Sequence, residues 1–373
     1  MKIGLLSIHS AHNYGSVLQA YALQEVLKKY STDFELINYR PNYLDCQYNM
    51  LSLNVYKRFN GFFNKVIHFC WRTLMFPARL KKYNKFENFI NSNMKLTKKY
   101  KTYEQLKKER FDYDVVFVGS DQIWNTDITE GFDRTYYLDF LDKNTIRASY
   151  AASIGRKKLD DKYINDYIEC LNKFNHISLR EKSSTSLITD IVNKNVNVTL
   201  DPTLLLEKKE WELLIENSKI NCENEEYIFV YILQDNPEFI KIVNKISKVL
   251  NLKVFSISKK KRFQNEKIFP NAGPEDFLKL CCNSKFVITN SFHGTVFSLI
   301  FEKNNCIVPH LDTGGRMIDL MKCAGLSERV LTSANQLESL NLNKNINYDN
   351  VKKNLKKYKI DSFRYIRGVI NEK

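Results

Sequence analysis

A histidine and a glycine separate two apolar stretches in TNSFHGTVFSLIF, residues 289–301. The stretch before them, 285–289, is short and β-branched, which predicts a strand buried on both faces, and the stretch after them has apolar residues at helical spacing. His293 therefore lies in a predicted strand-to-helix turn, which in an open parallel α/β sheet is at the edge where ligands bind. An imidazole at this place is suited to acid–base chemistry near neutral pH, or it simply caps the helix.

Two further turns present backbone N–H groups or a carboxylate. HNYG (12–15) directly precedes a predicted helix, whose N-terminus can receive a phosphate or carboxylate, and Gly15 lets the backbone approach closely. VGSDQIWN (118–125) continues a predicted strand, so Ser120 and Asp121 lie at its end. The position of Asp121 fits a general base or a group that orients a sugar hydroxyl, and it fits a cap of the next turn equally well.

A fourth turn carries positive charge. SLREK (178–182) brings Arg180 and Lys182 to the end of another predicted strand. A guanidinium there is suited to bidentate contact with a carboxylate or a phosphate. The same two residues are also typical of ordinary surface charges at the start of a helix.

These turns belong to a β-α rhythm that runs through both halves of the chain. Strands are predicted at 2–8, 34–39, 114–120, 148–153, 177–181 and 196–202 and, after a connector at 207–226, at 227–233, 252–257, 286–289 and 306–309. Helices are predicted at 16–30, 160–174, 237–250, 274–283, 294–303, 314–324 and 351–370. This alternation predicts an α/β fold with two doubly wound domains, 1–206 and 225–345. A C-terminal helix is predicted within 346–373, with packing against the first domain as one option.

An insertion at 46–110 interrupts the rhythm. From Cys46 to Phe86 there is no acidic residue, while Lys and Arg occur eight times. The aromatic residues interleaved with them are Phe59, Phe62, Phe63, Phe69, Trp71 and Phe76. Basic and aromatic residues on helical stretches suit a membrane interface, and they are equally compatible with a packed helical subdomain whose lysines are solvated.

Composition favours a globular protein with anionic partners. The 373 residues exceed one ordinary domain, and the formal net charge of +15 favours phosphorylated ligands, acidic lipid surfaces or nucleic acid without choosing among them. Eight cysteines without a C-x-x-C or a metal-type spacing indicate reduced thiols in a cytosolic protein, and no metal site is expected. We expect neither a signal peptide nor a membrane-spanning stretch.

In this order and at these intervals, the four turns resemble the polysaccharide pyruvyl transferase family. The resemblance extends over most of the chain, through NYGSVLQAYALQ (13–24), VGSDQIWN, SYAASIG (149–155), SLREKS (178–183), LDPTLLL (200–206), GPEDF (273–277) and TNSFHGTVFSLIF. Each motif is short, but the ordered set is specific. The family implies a GT-B-like fold of two Rossmann-like doubly wound domains facing a cleft, here with a helical insertion in the first.

The resemblance implies transfer of a pyruvyl group from phosphoenolpyruvate to two hydroxyls of a sugar, forming a cyclic ketal. The family's motif histidine corresponds to His293, and the arginine after its mid-chain strand corresponds to Arg180. Several members have an arginine two places before the histidine as part of the phosphoenolpyruvate contact, whereas this chain has Ser291. The donor-binding charge must then come from elsewhere, with Arg180, Lys182 and Arg316 as the candidates, or the donor is another compound.

The predicted site therefore has three groups of residues. The catalytic group is His293 and Asp121. The donor-binding group is Arg180, Lys182, Ser291, Phe292, Gly294 and Arg316. The acceptor or cleft group is Asn13, Tyr14, Gly15, Ser120, Trp124 and Asn125. No cofactor is expected beyond the co-substrate phosphoenolpyruvate.

Three functions are consistent with this pattern. The first is a cytoplasmic pyruvyl transferase acting on a lipid-linked or soluble glycan acceptor of a surface polysaccharide, with peripheral attachment to the inner face of the cytoplasmic membrane as an option. The second is a GT-B glycosyltransferase that uses a nucleotide sugar, since fold alone does not fix function. The third is a glycan-binding assembly factor without catalysis, which the serine at position 291 keeps open. No nucleic-acid partner is expected.

Overall fold

The computed structural model of the chain describes residues 1–44, 76–156, 158–309 and 314–372. The chain divides into two compact units, one formed by Met1–Leu205 with Lys359–Lys373 and the other by Leu206–Tyr358. Each unit contains a parallel β-sheet whose strands are connected by helices. The predicted α/β fold with two Rossmann-like sheets is therefore confirmed.

The first unit has a 6-stranded sheet in the order β2-β1-β3-β4-β5-β6, and each pair of neighbours is parallel. Its strands are β1 (Ile3–Leu6), β2 (Phe34–Leu36), β3 (Val115–Asp121), β4 (Ile146–Ala152), β5 (Ile177–Leu179) and β6 (Val196–Val198). Its helices are α1 (Tyr14–Lys28), α2 (Phe76–Asn93), α3 (Tyr103–Lys107), α4 (Ile164–Leu171) and α5 (Thr185–Thr189). The strand order reverses between β1 and β3, so the switch point that binds ligands in open α/β sheets lies at the carboxyl ends of these two strands.

The second unit has a 5-stranded sheet in the order β11-β10-β7-β8-β9, again parallel throughout. Its strands are β7 (Tyr227–Tyr231), β8 (Lys253–Ser256), β9 (Glu266–Ile268), β10 (Phe286–Thr289) and β11 (Asn304–Ile307). Its helices are α6 (Lys208–Ile215), α7 (Pro237–Leu250), α8 (Pro274–Cys282), α9 (Phe292–Ile300) and α10 (Gly315–Ala324). The switch point of this sheet lies between β7 and β10.

Burial explains why the central strands are continuous apolar runs. Val115, Val116, Phe117 and Val118 of β3 are fully buried, as are Ile228, Phe229 and Val230 of β7. Parallel strands with connecting helices are covered on both faces, so they lack the alternation of a half-exposed strand.

Two elements of the second unit differ from the prediction. Helix α6 lies within 207–226, which the high charge had indicated as a connector, and a capping box between Glu207 and Glu210 starts it. Strand β9 was not predicted because it has three residues, EKI, and no apolar run. The charged residues gave neither element a clear apolar pattern. The capping box stabilises α6, and pairing with β8 stabilises β9.

The C-terminal helix α11 (Tyr348–Asn371) starts in the second unit, and its last part is assigned to the first. Within the first unit, Ser362 Oγ accepts a hydrogen bond of 2.9 Å from Leu200 N, and the Tyr365 hydroxyl donates one of 2.7 Å to Ser149 O. These bonds attach the end of α11 to the loop after β6 and to β4.

The predicted insertion contributes helices α2 and α3. The buried face of α2 includes Phe86, Phe89 and Ile90, so this described part packs into the first unit. The basic and aromatic segment itself, with Phe59, Phe62, Phe63, Phe69 and Trp71, lies outside the described residues. Within the part of the chain that the structure describes, no helix combines the length and the apolar character that a membrane crossing requires.

Candidate active site

The turn that carries His293 is fixed by hydrogen bonds at the carboxyl end of β10. Thr289 Oγ1 accepts a hydrogen bond of 3.0 Å from Ser291 N and donates one of 2.6 Å to Tyr231 O. Ser291 is the N-cap of α9, and its side chain accepts a hydrogen bond of 3.3 Å from Gly294 N. Since Ser291 caps the helix, His293 is not needed for capping. The imidazole lies in the first turn of α9 and is 7% exposed.

Gly294 is required by a close approach between this turn and β10. A Cβ atom at position 294 would lie 2.4 Å from Thr289 Oγ1 and 3.0 Å from Thr289 Cβ. These separations are below van der Waals contact, so a larger residue would push α9 away from the strand. The glycine therefore determines how closely the histidine is held to the edge of the sheet.

Two of the predicted donor-binding residues lie beside this histidine. The rings of Phe292 and His293 meet edge to face with their centroids 5.2 Å apart. The guanidinium of Arg316, in the first turn of α10, lies 5.5 Å from the centroid of the Phe292 ring. The predicted residues of the second unit are thus brought together at one edge of its sheet.

Asn290 joins this turn to the loop after β7. Its Oδ1 accepts a hydrogen bond of 2.8 Å from Leu233 N, and its Nδ2 donates one of 2.7 Å to Gln234 O. β7 and β10 are the strands on either side of the switch point, so the histidine turn and the neighbouring loop form one fixed surface there.

Asp121 occupies the corresponding place in the first unit. It ends β3 with φ of 73°, in the left-handed region that Asp tolerates better than most residues. The Ser16 hydroxyl donates a hydrogen bond of 2.5 Å to Asp121 Oδ2. Asn13 caps α1 and accepts a hydrogen bond of 2.9 Å from Gly15 N, which fixes the HNYG turn beside the same carboxylate. The side chain of Asp121 is 14% exposed and thus reachable by a ligand.

Arg180 is surrounded by carboxylates. Its Nη1 donates a hydrogen bond of 2.9 Å to Asp201 Oδ2, while Nη2 lies 3.6 Å from Asp121 Oδ1 and Nε lies 4.0 Å from Glu181 Oε1. Burial by itself lowers the pKa of the guanidinium, but the three negative charges outweigh burial and raise the pKa above its ordinary value. These contacts hold the Arg180 guanidinium in a fixed position directly after β5.

The carboxylates of this cluster have further partners in the first unit. The Asp201 carboxylate accepts hydrogen bonds from the hydroxyls of Thr203 at 2.6 Å and Ser120 at 3.4 Å. Glu181 accepts a hydrogen bond from the Ser153 hydroxyl. Ser120, predicted as an acceptor residue, is therefore a buried member of this network.

Of four other predicted residues in the first unit, three have partners within the protein and one is exposed. Trp124 lies in the core of the first unit, where it is 2% exposed. Its indole N–H donates a hydrogen bond of 3.0 Å to Tyr136 O. Asn125 accepts a hydrogen bond of 3.0 Å from Asp127 N within the turn after β3. Tyr14 packs against α2, where its ring lies 5.1 Å from that of Phe86. Lys182 is exposed in the short turn after β5.

A second polar network at the same edge of the first sheet was not predicted. The Glu87 carboxylate on α2 accepts hydrogen bonds of 2.9 and 2.8 Å from Arg40 Nη1 and lies 3.0 Å from His12 Nε2. Burial raises the pKa of Glu87, but the bonds to His12 and Arg40 outweigh it and lower the pKa to about 2. The signal in the sequence was the pair of histidines in HSAHNYG, which begins three residues after the end of β1.

His9 belongs to this second network and is fully buried. Its ring nitrogens lie 3.1 Å from Ser7 O and 3.0 Å from Asn38 Oδ1. Burial and the nearby charge of Arg40 lower its pKa to about 4, so it is neutral at physiological pH. The described residues contain no group of three or more His, Cys, Asp or Glu arranged to hold a metal ion.

Several solved structures resemble this chain in fold but differ greatly from it in sequence. The chain is 10% identical to UDP-GlcNAc 2-epimerase from Neisseria meningitidis bound to UDP-GlcNAc, with a TM-score of 0.50 and 100% of each chain covered. It is 10% identical to UDP-N-acetylglucosamine 2-epimerase from Rickettsia bellii, with a TM-score of 0.49 and coverage of 99% and 96%. It is 8% identical to E. coli heptosyltransferase WaaC with ADP, with a TM-score of 0.40 and coverage of 83% and 87%. The Neisseria likeness bears on the fold alone and agrees with the predicted GT-B-like class.

Comparison at the level of sequence is more specific. No curated protein matches the chain. The family model described as polysaccharide pyruvyl transferase matches residues 13–312, a range that includes all four turns except His12. The chain belongs to the polysaccharide pyruvyl transferase family.

Proposed function

We propose that the protein transfers a pyruvyl group from phosphoenolpyruvate to two hydroxyls of one sugar in a surface-polysaccharide repeat unit, forming a cyclic ketal. The observation that carries the proposal is His293, held by Ser291, Thr289 and Gly294 at the switch point of the second sheet in a chain of this family. Proton transfer in the proposed reaction requires an acid–base group in a fixed position, and the imidazole of His293 meets this requirement.

The proposed reaction has two steps. One sugar hydroxyl adds to C2 of phosphoenolpyruvate, and C3 takes up a proton and becomes a methyl group. A second hydroxyl then forms a bond to C2 as the C2–O bond to phosphate breaks, and both hydroxyl protons leave. The acid that protonates C3 and the base that removes a hydroxyl proton must act near neutral pH, for which histidine is suited.

We assign the proton transfer at C3 to His293 and hydroxyl proton removal to Asp121. Asp121 is an ionisable group at the switch point of the first sheet, and Ser16 holds its carboxylate. Arg180 positions this carboxylate from 3.6 Å and is itself held by Asp201. Arg316 and the N-terminus of α9 supply positive potential for the anionic donor beside His293.

The proposal includes an acceptor that is still attached to a lipid diphosphate carrier, so the enzyme works at an anionic membrane surface. Two sequence features support this location. The basic and aromatic segment of the insertion has eight Lys and Arg residues between Cys46 and Phe86 and no acidic residue. Helix α11 also exposes Lys353, Lys357, Arg364 and Arg367 at i, i+4, i+11 and i+14, on one face.

The donor is tested by incubating the purified protein with phosphoenolpyruvate and a panel of glycosides and measuring phosphate release. Parallel reactions contain UDP-sugars and ADP-sugars in place of phosphoenolpyruvate. We expect glycoside-dependent phosphate release from phosphoenolpyruvate alone. Release of a nucleoside diphosphate would assign a glycosyltransferase instead, and no release from any donor would favour a glycan-binding protein without catalysis.

A further inference from the structure

Three consecutive lysines follow β8 at the carboxyl edge of the second sheet. Lys259, Lys260 and Lys261 are exposed and lie in the connection between β8 and β9. The carboxyl edge of an open parallel sheet is where ligands bind, and the ammonium groups are compact charges on flexible stems that can reach an anion there.

Hydrogen bonds fix the backbone of this connection. Glu266, 4% exposed, accepts hydrogen bonds from Phe263 N at 2.9 Å and from Arg262 N. Ser258 Oγ donates a hydrogen bond of 2.7 Å to Lys260 O and accepts one of 3.3 Å from Lys260 N. The buried Glu266 carboxylate and the Ser258 hydroxyl therefore give the loop a defined backbone conformation, from which the three lysines extend.

The same loop is connected to the histidine turn. Arg262 Nε donates a hydrogen bond of 2.9 Å to Asp235 Oδ1 in the loop after β7, and that loop is bonded to Asn290 through Leu233 and Gln234. The strand order β10-β7-β8 places the ends of β10 and β8 two strand spacings apart. Two spacings are roughly 10 Å, a distance that one phosphorylated ligand can bridge.

The charges of the two sheets differ at these edges. In the second unit the lysines and Arg316 are cationic, and Arg262 offsets Asp235. In the first unit Arg180 lies among three carboxylates, and Arg40 is paired with Glu87. A dianionic ligand is therefore favoured at the edge of the second sheet.

We propose that Lys259, Lys260 and Lys261 form a phosphate-binding subsite at the same edge of the sheet as His293. The subsite supplies positive charge at an edge where this chain has Ser291 and not an arginine. It receives either the phosphate of the donor or the diphosphate of a carrier-linked acceptor. The choice between these two ligands rests on the proposed function. The subsite itself rests on the loop, its place at the switch-point edge and its charge.

The test replaces the three lysines together, as Lys259→Gln, Lys260→Gln and Lys261→Gln. The matched control is Lys248→Gln, Lys253→Gln and Lys285→Gln, which removes the same charge from exposed positions of the same unit. The control lies by the opposite edge of the sheet, because Lys248 is in the last turn of α7, Lys253 begins β8 and Lys285 directly precedes β10. Thermal unfolding checks that both variants remain folded.

Titration calorimetry then measures binding of phosphoenolpyruvate and of inorganic pyrophosphate at 0.15 M salt. We expect the loop variant to raise the Kd of at least one probe by about tenfold or more, since several charge-assisted contacts are lost, while the control stays within about twofold of the wild type. An effect on phosphoenolpyruvate alone identifies the donor phosphate, and an effect on pyrophosphate alone identifies the acceptor diphosphate.

Three results would overturn the subsite: unchanged affinities in the loop variant, equal losses in both variants, or no binding of either probe by the wild type. The measurement requires no turnover, so it separates this inference from the proposed reaction. The loop variant could lose pyrophosphate binding while the wild type releases no phosphate from phosphoenolpyruvate. This result would support the subsite and contradict the pyruvyl transfer.

Discussion

The guanidinium of Arg180 lies 2.9 Å from the carboxylate of Asp201, and both side chains are buried in the first unit. Asp121 and Glu181 lie on other sides of the same guanidinium. In the proposed reaction, this arginine orients the carboxylate of Asp121. The carboxyl edge of the first sheet therefore carries carboxylates that are paired with buried cations, and that of the second carries His293 and Arg316.

Replacing Arg180 with alanine should destabilise the protein strongly. The change leaves Asp201 and Glu181 buried without their cation, and breaking a buried pair in this way costs about 3–5 kcal/mol. Lys182→Ala, two residues away and exposed, should alter the free energy of unfolding by less than about 0.5 kcal/mol. Urea unfolding of both variants measures the difference. Equal stabilities, together with a raised KM for phosphoenolpyruvate in Arg180→Ala, would instead place Arg180 in direct contact with the donor.

Replacing Gly294 with alanine should displace the histidine turn. The added methyl group would lie 2.4 Å from Thr289 Oγ1, and relief of such overpacking costs about 1–3 kcal/mol. Gly368→Ala is the control, because a Cβ there meets nothing within 4 Å and alanine favours a helix interior by up to about 1 kcal/mol. Denaturant unfolding should show opposite signs for the two variants. A neutral Gly294→Ala variant with full activity would show that the turn tolerates a wider separation from β10.

Stability should fall as the pH is lowered from 6.5 to 4.5, in part because of His9. Its pKa is lowered to about 4 in the folded protein, so in this range the unfolded chain binds the proton and the folded chain does not. Two pH units correspond to about 2–3 kcal/mol, fully present above pH 6.5 and lost as the pH falls. His9→Gln should lose less stability over the same interval, as measured by urea unfolding at several pH values. Identical slopes for variant and wild type would show that His9 takes up a proton in the folded state.

Vesicles of anionic lipid should bind the protein in a salt-sensitive manner. Each Lys or Arg near such a surface contributes about 1 kcal/mol, and aromatic residues add interfacial burial. Changing Lys57, Arg58, Lys65 and Arg72 to Glu should abolish co-sedimentation while activity on a short soluble acceptor remains. The control changes four exposed cations of the same insertion, Lys101, Lys107, Lys108 and Arg110, to Glu. If the wild type does not sediment with the vesicles even at low salt, the segment has no membrane role.

The fold could be predicted because each central strand is a short apolar run that ends in polar or small residues. The predicted strand at 286–289 coincides with β10 (Phe286–Thr289), and the following helix begins two residues earlier than predicted because Ser291 caps it. His293 and Gly294 could be found from this local pattern, since both the strand and the turn are continuous in sequence.

The partners of Arg180 could not be found in the same way. Asp201 is 21 residues away, and the two meet because β5 and β6 are neighbours in the sheet. Trp124 shows that closeness in sequence does not fix the surroundings of a side chain either. Its closeness in sequence to Asp121 indicated a cleft residue, but the turn after β3 directs its indole to Tyr136 O in the core. Pairings across strands depend on sheet order, which a single motif does not contain.

The most direct test of the proposed reaction is the product formed by the wild type and by His293→Gln. The proteins are incubated with saturating phosphoenolpyruvate and an accepting glycoside, and the ketal methyl group is measured by NMR alongside phosphate release. We expect the wild type to form one ketal per phosphate released and His293→Gln to stay folded while its turnover falls by about 10²–10⁴-fold. A wild-type rate in His293→Gln, or phosphate release without a ketal, would contradict the account.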